Sequence, residues 1–422
     1  MSTALRPALP LSPTHALRWL LLLGLGVPLM LPFARSAELP LLLGALFGLW
    51  ALLRRPDPRQ WPAALRDLCV VLAAIALAAL ISALDAVDPA KSWTSAIALL
   101  RFLLYGIGLY ALLECAGPGA GRALSRGIAL LLALWVLDAL IQALSGHSLG
   151  GPLDADRLSG IFGADDLKLG PTLAVLAPLL LWPLLPPQRA DRGRWLLLAV
   201  AYVGVLSVNL LAGARAGWIM FGWVSLWLAW RLSRNLQLRF APLLLGAALL
   251  GLALGLLAYA GSERFQARVD RTAALFSGEA DHALAGRTWI FATAWRMGLA
   301  HPLNGVGVRG FRDAYAQHAA PGDPWVDPHS GQGAAHAHQW LLELWSETGA
   351  LGLLLWLGAM AYLYRRLQQL SPQQLRACEP ALVALSAMLF PLNTHLAFYS
   401  TFWSIVLAWL LVWLALHREE AG

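Results

Sequence analysis

Long apolar runs divide this sequence, and they restrict its fold more than any other feature. A membrane-spanning helix needs roughly 20 mostly apolar residues. Hydrophobic residues make up 59% of the chain and charged residues only 13%, whereas a soluble domain has roughly 25% charged residues. The sequence therefore predicts an all-α polytopic membrane protein with about 12 transmembrane helices, at residues 19–33, 39–53, 68–84, 93–115, 123–144, 172–185, 195–211, 217–230, 241–259, 338–364, 381–396 and 398–417.

Basic residues concentrate in every second loop between these runs. The net charge of +7 is explained by membrane orientation better than by nucleic-acid binding, because short cytoplasmic loops carry an excess of Lys and Arg. This rule places both termini in the cytoplasm. The arginines of the alternate loops are Arg54, Arg55, Arg59, Arg66, Arg122, Arg126, Arg189, Arg192, Arg194, Arg231, Arg234, Arg239, Arg365, Arg366 and Arg376.

One long polar segment interrupts the apolar runs and predicts three consecutive parts. Residues 1–260 carry spans one to nine, residues 261–337 form a large outer loop, and residues 338–422 carry spans ten to twelve. Within the loop, residues 286–296 place apolar side chains at helical spacing. We expect an amphipathic helix there that covers an active site.

His338 is the first candidate for chemistry, because it lies where the outer loop meets span ten. An imidazole titrates near neutral pH and can take a proton from a hydroxyl group. Judged by position alone, a histidine that only caps the helix or faces water is at least as good an interpretation. The neighbouring histidines fit no metal-binding spacing on one helix, so we predict neither a metal nor a cofactor.

Arginines provide the candidate anion-binding groups. Arg215 opens span eight between small residues, and a cation in the first turn opposes the helix dipole unless an anion offsets it. Arg287 and Arg309 belong to the outer loop, and guanidinium groups bind phosphate in a bidentate manner. The alternatives are an interfacial snorkelling arginine for Arg215 and solvated loop charge for the others, which is the better interpretation for Arg296 and Arg312.

Weaker candidates complete the set. Lys168 lies in the outer loop before span six, and Glu343 follows His338 by about one turn, where it could orient the imidazole or bind sugar. Arg101 and Asp138 lie at similar depths in their spans. Since a charge buried alone in a membrane is costly, we expect these two to pair.

Three local patterns carry a family resemblance. They are Ala-Gly-Ala-Arg215-Ala-Gly-Trp, the stretch from Gly286-Arg287 through His301-Pro302 to Gly305-Val-Gly307, and Ala-His338-Gln-Trp-Leu-Leu-Glu-Leu-Trp-Ser-Glu347-Thr-Gly349. With the large loop before span ten, the chain resembles the O-antigen ligase and polymerase superfamily of bacterial inner-membrane glycosyltransferases. Gln339 stands where members of that superfamily more often carry asparagine.

The resemblance implies a metal-independent transfer of a glycan from a lipid diphosphate to a sugar hydroxyl at the periplasmic face. For an O-antigen ligase the donor is undecaprenyl-diphosphate-linked O-antigen and the acceptor is lipid A–core. His338 would be the general base, and Arg215 and Arg287 would bind the donor diphosphate. Attack on the face opposite the leaving group predicts inversion at the anomeric carbon.

Other functions compete with a ligase. An O-antigen polymerase or a protein O-oligosaccharyltransferase of the same superfamily would use similar residues with a different acceptor. A transporter of lipid-linked sugars would show two similar halves with interrupted helices, and the sequence has no such symmetry. A structural membrane scaffold would tolerate replacement of His338 or Arg215.

Overall fold

The computed structural model describes residues 9–153, 157–164, 166–261, 263–273 and 286–420. Within these ranges the chain is mostly helical, apart from the connections, of which residues 319–339 are a long one, and a hairpin of two short strands, β1 (His147–Ser148) paired antiparallel with β2 (Gly151–Pro152). The α-helices are α1 (Pro13–Met30), α2 (Glu38–Arg54), α3 (Ala63–Ser82), α4 (Pro89–Ala116), α5 (Ala120–Ser145), α6 (Leu169–Leu181), α7 (Arg192–Ala212), α8 (Arg215–Leu236), α9 (Phe240–Gly261), α10 (Glu263–Ala273), α11 (Arg287–Ala300), α12 (Phe311–His318), α13 (Trp340–Leu367), α14 (Pro372–Met388) and α15 (Thr401–Glu420).

Seven helices of the described residues are long and apolar enough to cross a membrane: α3, α4, α5, α7, α9, α13 and α15. The all-α, multi-pass class expected from the apolar runs is therefore confirmed. The other predicted spans fall on α1, α2, α6, α8 and α14, which are shorter or less apolar. The count of twelve spans and the outer location of residues 261–337 stay predictions.

The chain forms two compact units that are not consecutive in sequence. The first unit contains Met1–Leu124, Arg287–Glu379 and Leu396–Gly422, and the second contains Ser125–Gly286 and Pro380–His395. The first unit draws on both ends of the chain because α15 packs back against α3 and α4.

Glycines bring α2 and α4 into direct contact in the first unit. A Cβ atom added at Gly48 would lie 1.8 Å from the carbonyl oxygen of Leu104, and one at Gly108 would lie 2.1 Å from that of Gly44. Small residues allow membrane helices to approach this closely, which strengthens van der Waals packing where no hydrophobic driving force exists. These contacts fix the frame on which α3 and α13 pack.

Charged side chains inside the helices find partners within their own unit. Arg101 forms an ion pair of 2.9 Å with Glu38, while Oδ1 of Asp138 accepts a 2.8 Å hydrogen bond from the backbone of Leu149. The expected pairing of Arg101 with Asp138 is therefore wrong. The rule that a charge at membrane depth needs a partner holds, but sequence position did not identify which partner.

Candidate functional site

A break in α13 organises the polar side of the first unit. Gly349 has φ 61° and ψ −162°, which interrupts the helix one-third of the way along its length. Residues 302–307 of the preceding loop fill the break and satisfy the backbone groups that it frees, as membrane proteins require for any interrupted helix. The four hydrogen bonds are Val306 N–H to Ser346 O (2.9 Å), Gly307 N–H to Glu347 O (3.1 Å), Ala350 N–H to Pro302 O (2.8 Å) and Leu351 N–H to Leu303 O (3.0 Å).

Glycine is required on both sides of this break. Gly305 has φ 68°, and a Cβ there would lie 2.3 Å from the carbonyl carbon of Glu347. A Cβ at Gly349 would lie 2.5 Å from the carbonyl of Leu303. Only glycine combines left-handed backbone with so close an approach. The Gly305-Val-Gly307 sequence thus allows the loop to pack into the break in α13.

The end of the same loop is tied to the connection between α3 and α4. Val308 donates its N–H to Oγ of Ser82 at 3.1 Å and accepts from Oγ of Ser92 at 2.9 Å. Lys91 forms an ion pair of 2.6 Å with Asp313 at the start of α12. These contacts fix the loop, and therefore also the backbone position of Arg309, which directly follows Val308.

Glu347 of α13 also helps to fix the position of residue 309. Its carboxylate is 1% exposed, and Oε2 accepts a hydrogen bond of 2.8 Å from the backbone N–H of Arg309. Arg309 has φ 63°, a left-handed conformation that is uncommon for residues other than glycine and costs roughly 1–3 kcal/mol. The buried carboxylate holds this strained residue, whose side chain is half-buried.

Glu343 lies one turn earlier on α13 and holds a different segment. Its carboxylate is 0% exposed, and its two oxygens accept from the backbone N–H groups of Phe398 (2.9 Å) and Tyr399 (3.0 Å). Both oxygens are thus engaged by the segment that leads into α15. This geometry favours a structural role for Glu343 over sugar binding or orientation of His338.

His338 lies just before α13 and not inside it. The helix begins at Trp340, two residues later than the predicted start of span ten, because the Gln339 side chain caps it by accepting from the N–H of Leu342 at 2.7 Å. His338 has φ 54°, and its half-buried ring lies 4.0 Å from that of His336 between centroids. Strained backbone of this kind concentrates at functional sites.

Arg287 and His338 border the same small hydrophobic core. Arg287 is the first residue of α11, and Ile290, one turn later, packs in a core that also contains Ala337, the residue before His338. The predicted helix is present, but it is not amphipathic as expected. It exposes Trp295 and Leu299 on the face opposite the core, so apolar residues surround it.

A polar cluster stabilises the other end of α11. Arg296 donates to the carbonyl of His318 at 2.7 Å and to Oγ1 of Thr293 at 2.8 Å, and Oδ2 of the buried Asp323 accepts from Tyr315 at 3.0 Å. Burial lowers the pKa of His318 below its usual value, and the charges of His301 and Arg296 lower it further. Arg296 therefore has a structural role.

The second unit holds Arg215 and Lys168. Arg215 is the half-buried first residue of α8. Gly217 is one of the small residues beside Arg215, and a Cβ there would lie 3.0 Å from Oδ1 of Asn209 and 3.2 Å from the Gly170 carbonyl carbon. That glycine therefore serves helix packing. Lys168 forms an ion pair of 2.6 Å with Asp166, which offsets the charge it would offer to a substrate anion.

Sequence reasoning missed the structural role of Glu347 and the break beside it. A signal was present, because Ser346-Glu347-Thr348-Gly349 is a polar, glycine-terminated stretch within an otherwise apolar run. Such a stretch indicates either an interrupted helix or a site lined by protein. In the described part of the chain no three His, Cys, Asp or Glu side chains are grouped to hold a metal ion, and metal independence stays a prediction.

Comparison with known proteins gives one match. A family model described as O-antigen ligase matches residues 201–357. No curated protein matches the chain. The matched region contains Arg215, Arg287, Arg309 and His338, and it includes the break in α13, whereas Lys168 lies outside it.

Proposed function

Because residues 201–357 make this chain a member of the O-antigen ligase family, we propose that it transfers O-antigen polysaccharide from undecaprenyl diphosphate to a sugar hydroxyl of lipid A–core. Membership implies a multi-pass membrane glycosyltransferase that uses lipid-linked glycans. The observation that carries the proposal is that one matched region contains the candidate base, His338, and the candidate anion ligands, Arg215 and Arg287. We further propose that the reaction takes place at the periplasmic face of the bacterial inner membrane.

His338 acts as the general base in this mechanism. The acceptor hydroxyl oxygen forms a bond to the anomeric carbon of the donor, and its proton passes to the neutral imidazole. The bond from that carbon to the diphosphate oxygen breaks, and the electron pair leaves with the diphosphate. Attack opposite the leaving group inverts the anomeric centre. His338 lies in the loop just before α13, and the Gln339 cap fixes the start of that helix. A base in a loop, outside the helix, supports access for a bulky acceptor.

Arg215 and Arg287 bind the diphosphate in this proposal. Negative charge builds on the leaving group as the glycosidic bond breaks, and guanidinium groups held in place stabilise it without reorganisation. Each arginine is the first residue of a helix, α8 or α11, where the positive end of the helix dipole also favours an anion. Arg309, held by Glu347, is a further candidate ligand, and its strained backbone supports that role.

A reconstituted reaction tests the proposal. Purified protein in lipid nanodiscs receives undecaprenyl-diphosphate-linked O-antigen and lipid A–core, and product is measured by mass spectrometry. We expect His338→Asn to lower the rate by roughly 10²–10⁴-fold, the usual contribution of general base catalysis. Asparagine is chosen because it tolerates the left-handed backbone. The exposed His329→Asn is the matched control and retains activity.

The arginines are tested in the same assay. Arg215→Gln and Arg287→Gln are each expected to lower transfer by roughly 10²-fold or more, whereas the exposed Arg312→Gln does not. Transfer at the wild-type rate by the His338 variant would remove that residue from the mechanism. Transfer abolished by a chelator would show that the reaction needs a metal ion.

Alternative acceptors separate the ligase from its relatives. Elongation of a second lipid-linked glycan would identify a polymerase, and glycosylation of a peptide would identify a protein O-oligosaccharyltransferase. Movement of lipid-linked glycan across vesicles with no transfer product would identify a transporter. Each of these results, in the absence of glycosylated lipid A–core, would overturn the ligase assignment.

A further inference from the structure

A groove of about 200 Å³ lies between α7, α8 and α9 in the second unit. Its walls are almost entirely apolar, and α9 contributes small residues where a side chain would otherwise fill the space. A Cβ added at Gly246 would meet no atom within 4 Å. The residues that define the groove are Trp195, Leu198 and Tyr202 of α7, Leu228 and Leu232 of α8, and Gly246 of α9.

The groove is separate from the candidate diphosphate site on α8. Arg215 begins that helix, and the α8 residues of the groove run from Ser225 to Leu232. At 1.5 Å per residue they lie roughly 15–25 Å further along the helix. A ligand in the groove is therefore held near the opposite end of α8.

The two ends of the groove differ in chemistry. One end is closed by a hydrogen bond of 2.9 Å between the hydroxyl groups of Tyr202 and Ser225. Trp195 and Leu232 mark the other end, about 10 Å away along the helices. Three exposed arginines flank that end: Arg192 before Trp195, Arg234 after Leu232, and Arg239 just before α9.

We propose that this groove binds an anionic phospholipid, with one acyl chain between α7, α8 and α9 and the phosphate headgroup against Arg192, Arg234 and Arg239. The apolar walls match a hydrocarbon chain and exclude a polar ligand. Guanidinium groups bind phosphate through paired hydrogen bonds, and basic pockets between membrane helices bind anionic headgroups. Charge complementarity therefore selects phosphatidylglycerol over a zwitterionic lipid, independently of the proposed transfer reaction.

Filling the groove tests the acyl-chain half of the proposal. Purified full-length protein in detergent is mixed with phosphatidylglycerol or with phosphatidylcholine of the same chains, and bound lipid is counted by native mass spectrometry. Wild-type protein is expected to prefer phosphatidylglycerol by about tenfold. Gly246→Leu places a side chain in the groove and abolishes retention. Gly251→Leu is the control, because a Cβ there also has open space but the residue lies outside the groove.

Removing the basic rim tests the headgroup half. The triple variant Arg192→Gln, Arg234→Gln, Arg239→Gln is expected to bind both lipids equally. The control triple Arg54→Gln, Arg59→Gln, Arg66→Gln removes the same charge from exposed residues at and near the connection between α2 and α3 and keeps the preference. Unchanged retention in Gly246→Leu, or equal effects of the two triples, would overturn the proposal. Displacement of phosphatidylglycerol by an equimolar polyprenyl phosphate would instead assign the groove to an isoprenoid tail.

Discussion

The backbone N–H of Arg309 donates a 2.8 Å hydrogen bond to Oε2 of Glu347, and this contact adds a side-chain link to the backbone hydrogen bonds that join the loop before α12 to the interrupted helix α13. Arg309 is held in left-handed backbone by a carboxylate that has 1% of its surface exposed. Since a strained conformation persists only where its surroundings fix it, the orientation of the Arg309 side chain depends on Glu347.

Replacement of Glu347 by alanine is expected to weaken both folding and transfer. The hydrogen bond contributes about 0.5–1.5 kcal/mol, and its loss frees Arg309 to leave the left-handed conformation. Glu347→Gln keeps an amide oxygen in the same place and should lose less of both. Thermal unfolding in detergent and the rate of glycan transfer are the two measurements. A matched change at the exposed Glu263 should alter neither, and equal effects at 263 and 347 would contradict this account.

Gly349→Ala should be strongly destabilising although alanine is a good helix former. The residue must adopt φ 61°, which costs an alanine about 1–2 kcal/mol, and its Cβ would lie 2.5 Å from Leu303. Gly358→Ala in the regular part of the same helix meets no atom within 4 Å and should be neutral or stabilising by about 0.4–1 kcal/mol. The melting temperatures of the two variants test whether glycine is needed at position 349 and not at position 358. A more stable Gly349→Ala would mean that α13 is continuous.

Replacement of Asp67 in α3 should lower the stability of the first unit. It is 3% exposed and accepts hydrogen bonds from Tyr362, Arg366 and Arg418. Removing one member of such a network leaves buried charges without compensation, which costs about 3 kcal/mol. We expect Asp67→Asn to lower the melting temperature, while Asp85→Asn, at an exposed position, leaves it unchanged. Similar melting temperatures for both variants would show that the network contributes no net stability.

Acidification should loosen α12 through His318. Burial and the charges of His301 and Arg296 lower the pKa of this imidazole in the folded protein, so the unfolded state takes up a proton first as pH falls. Stability is therefore complete above about pH 6.5, is lost as pH falls below that value, and becomes constant below the folded-state pKa. Hydrogen exchange of residues 311–318 between about pH 7.5 and pH 5 measures this. His318→Gln should remove the dependence, and the exposed His329→Gln should keep it.

Periodicity and composition predicted the helices well, because a chain with so much apolar surface has few other folds available. The predicted spans fall largely on helices of the described residues, except that the span predicted at 381–396 is helical only as far as Met388, and residues 389–396 form turns. The break at Gly349 was not predicted, since it depends on residues 302–307 arriving from elsewhere in the chain. A glycine in an apolar run is compatible with a continuous helix until that partner is known.

For the candidate site, too, the sequence predicted some features and the structure was needed for others. Residue chemistry identified His338, Arg215 and Arg287 as candidates, because imidazole and guanidinium groups suit the proposed reaction and these three residues lie in the motifs that carry the family resemblance. It offered Glu343 as a weaker candidate that could orient His338 or bind sugar, whereas in the structure both of its oxygens accept from backbone N–H groups. Long-range hydrogen bonds decide which carboxylates are structural, and sequence spacing carries no information about them.

The position of the break also sets where α13 enters the bilayer. Residues 350–367 alone rise about 27 Å, close to the ~30 Å thickness of the hydrocarbon layer. The shorter segment that begins at Trp340 is therefore not needed for the crossing and can belong to the headgroup layer, together with Glu343 and Glu347. A helix divided in this way keeps two protein-buried carboxylates out of the hydrocarbon layer, so lipid tails need not surround them.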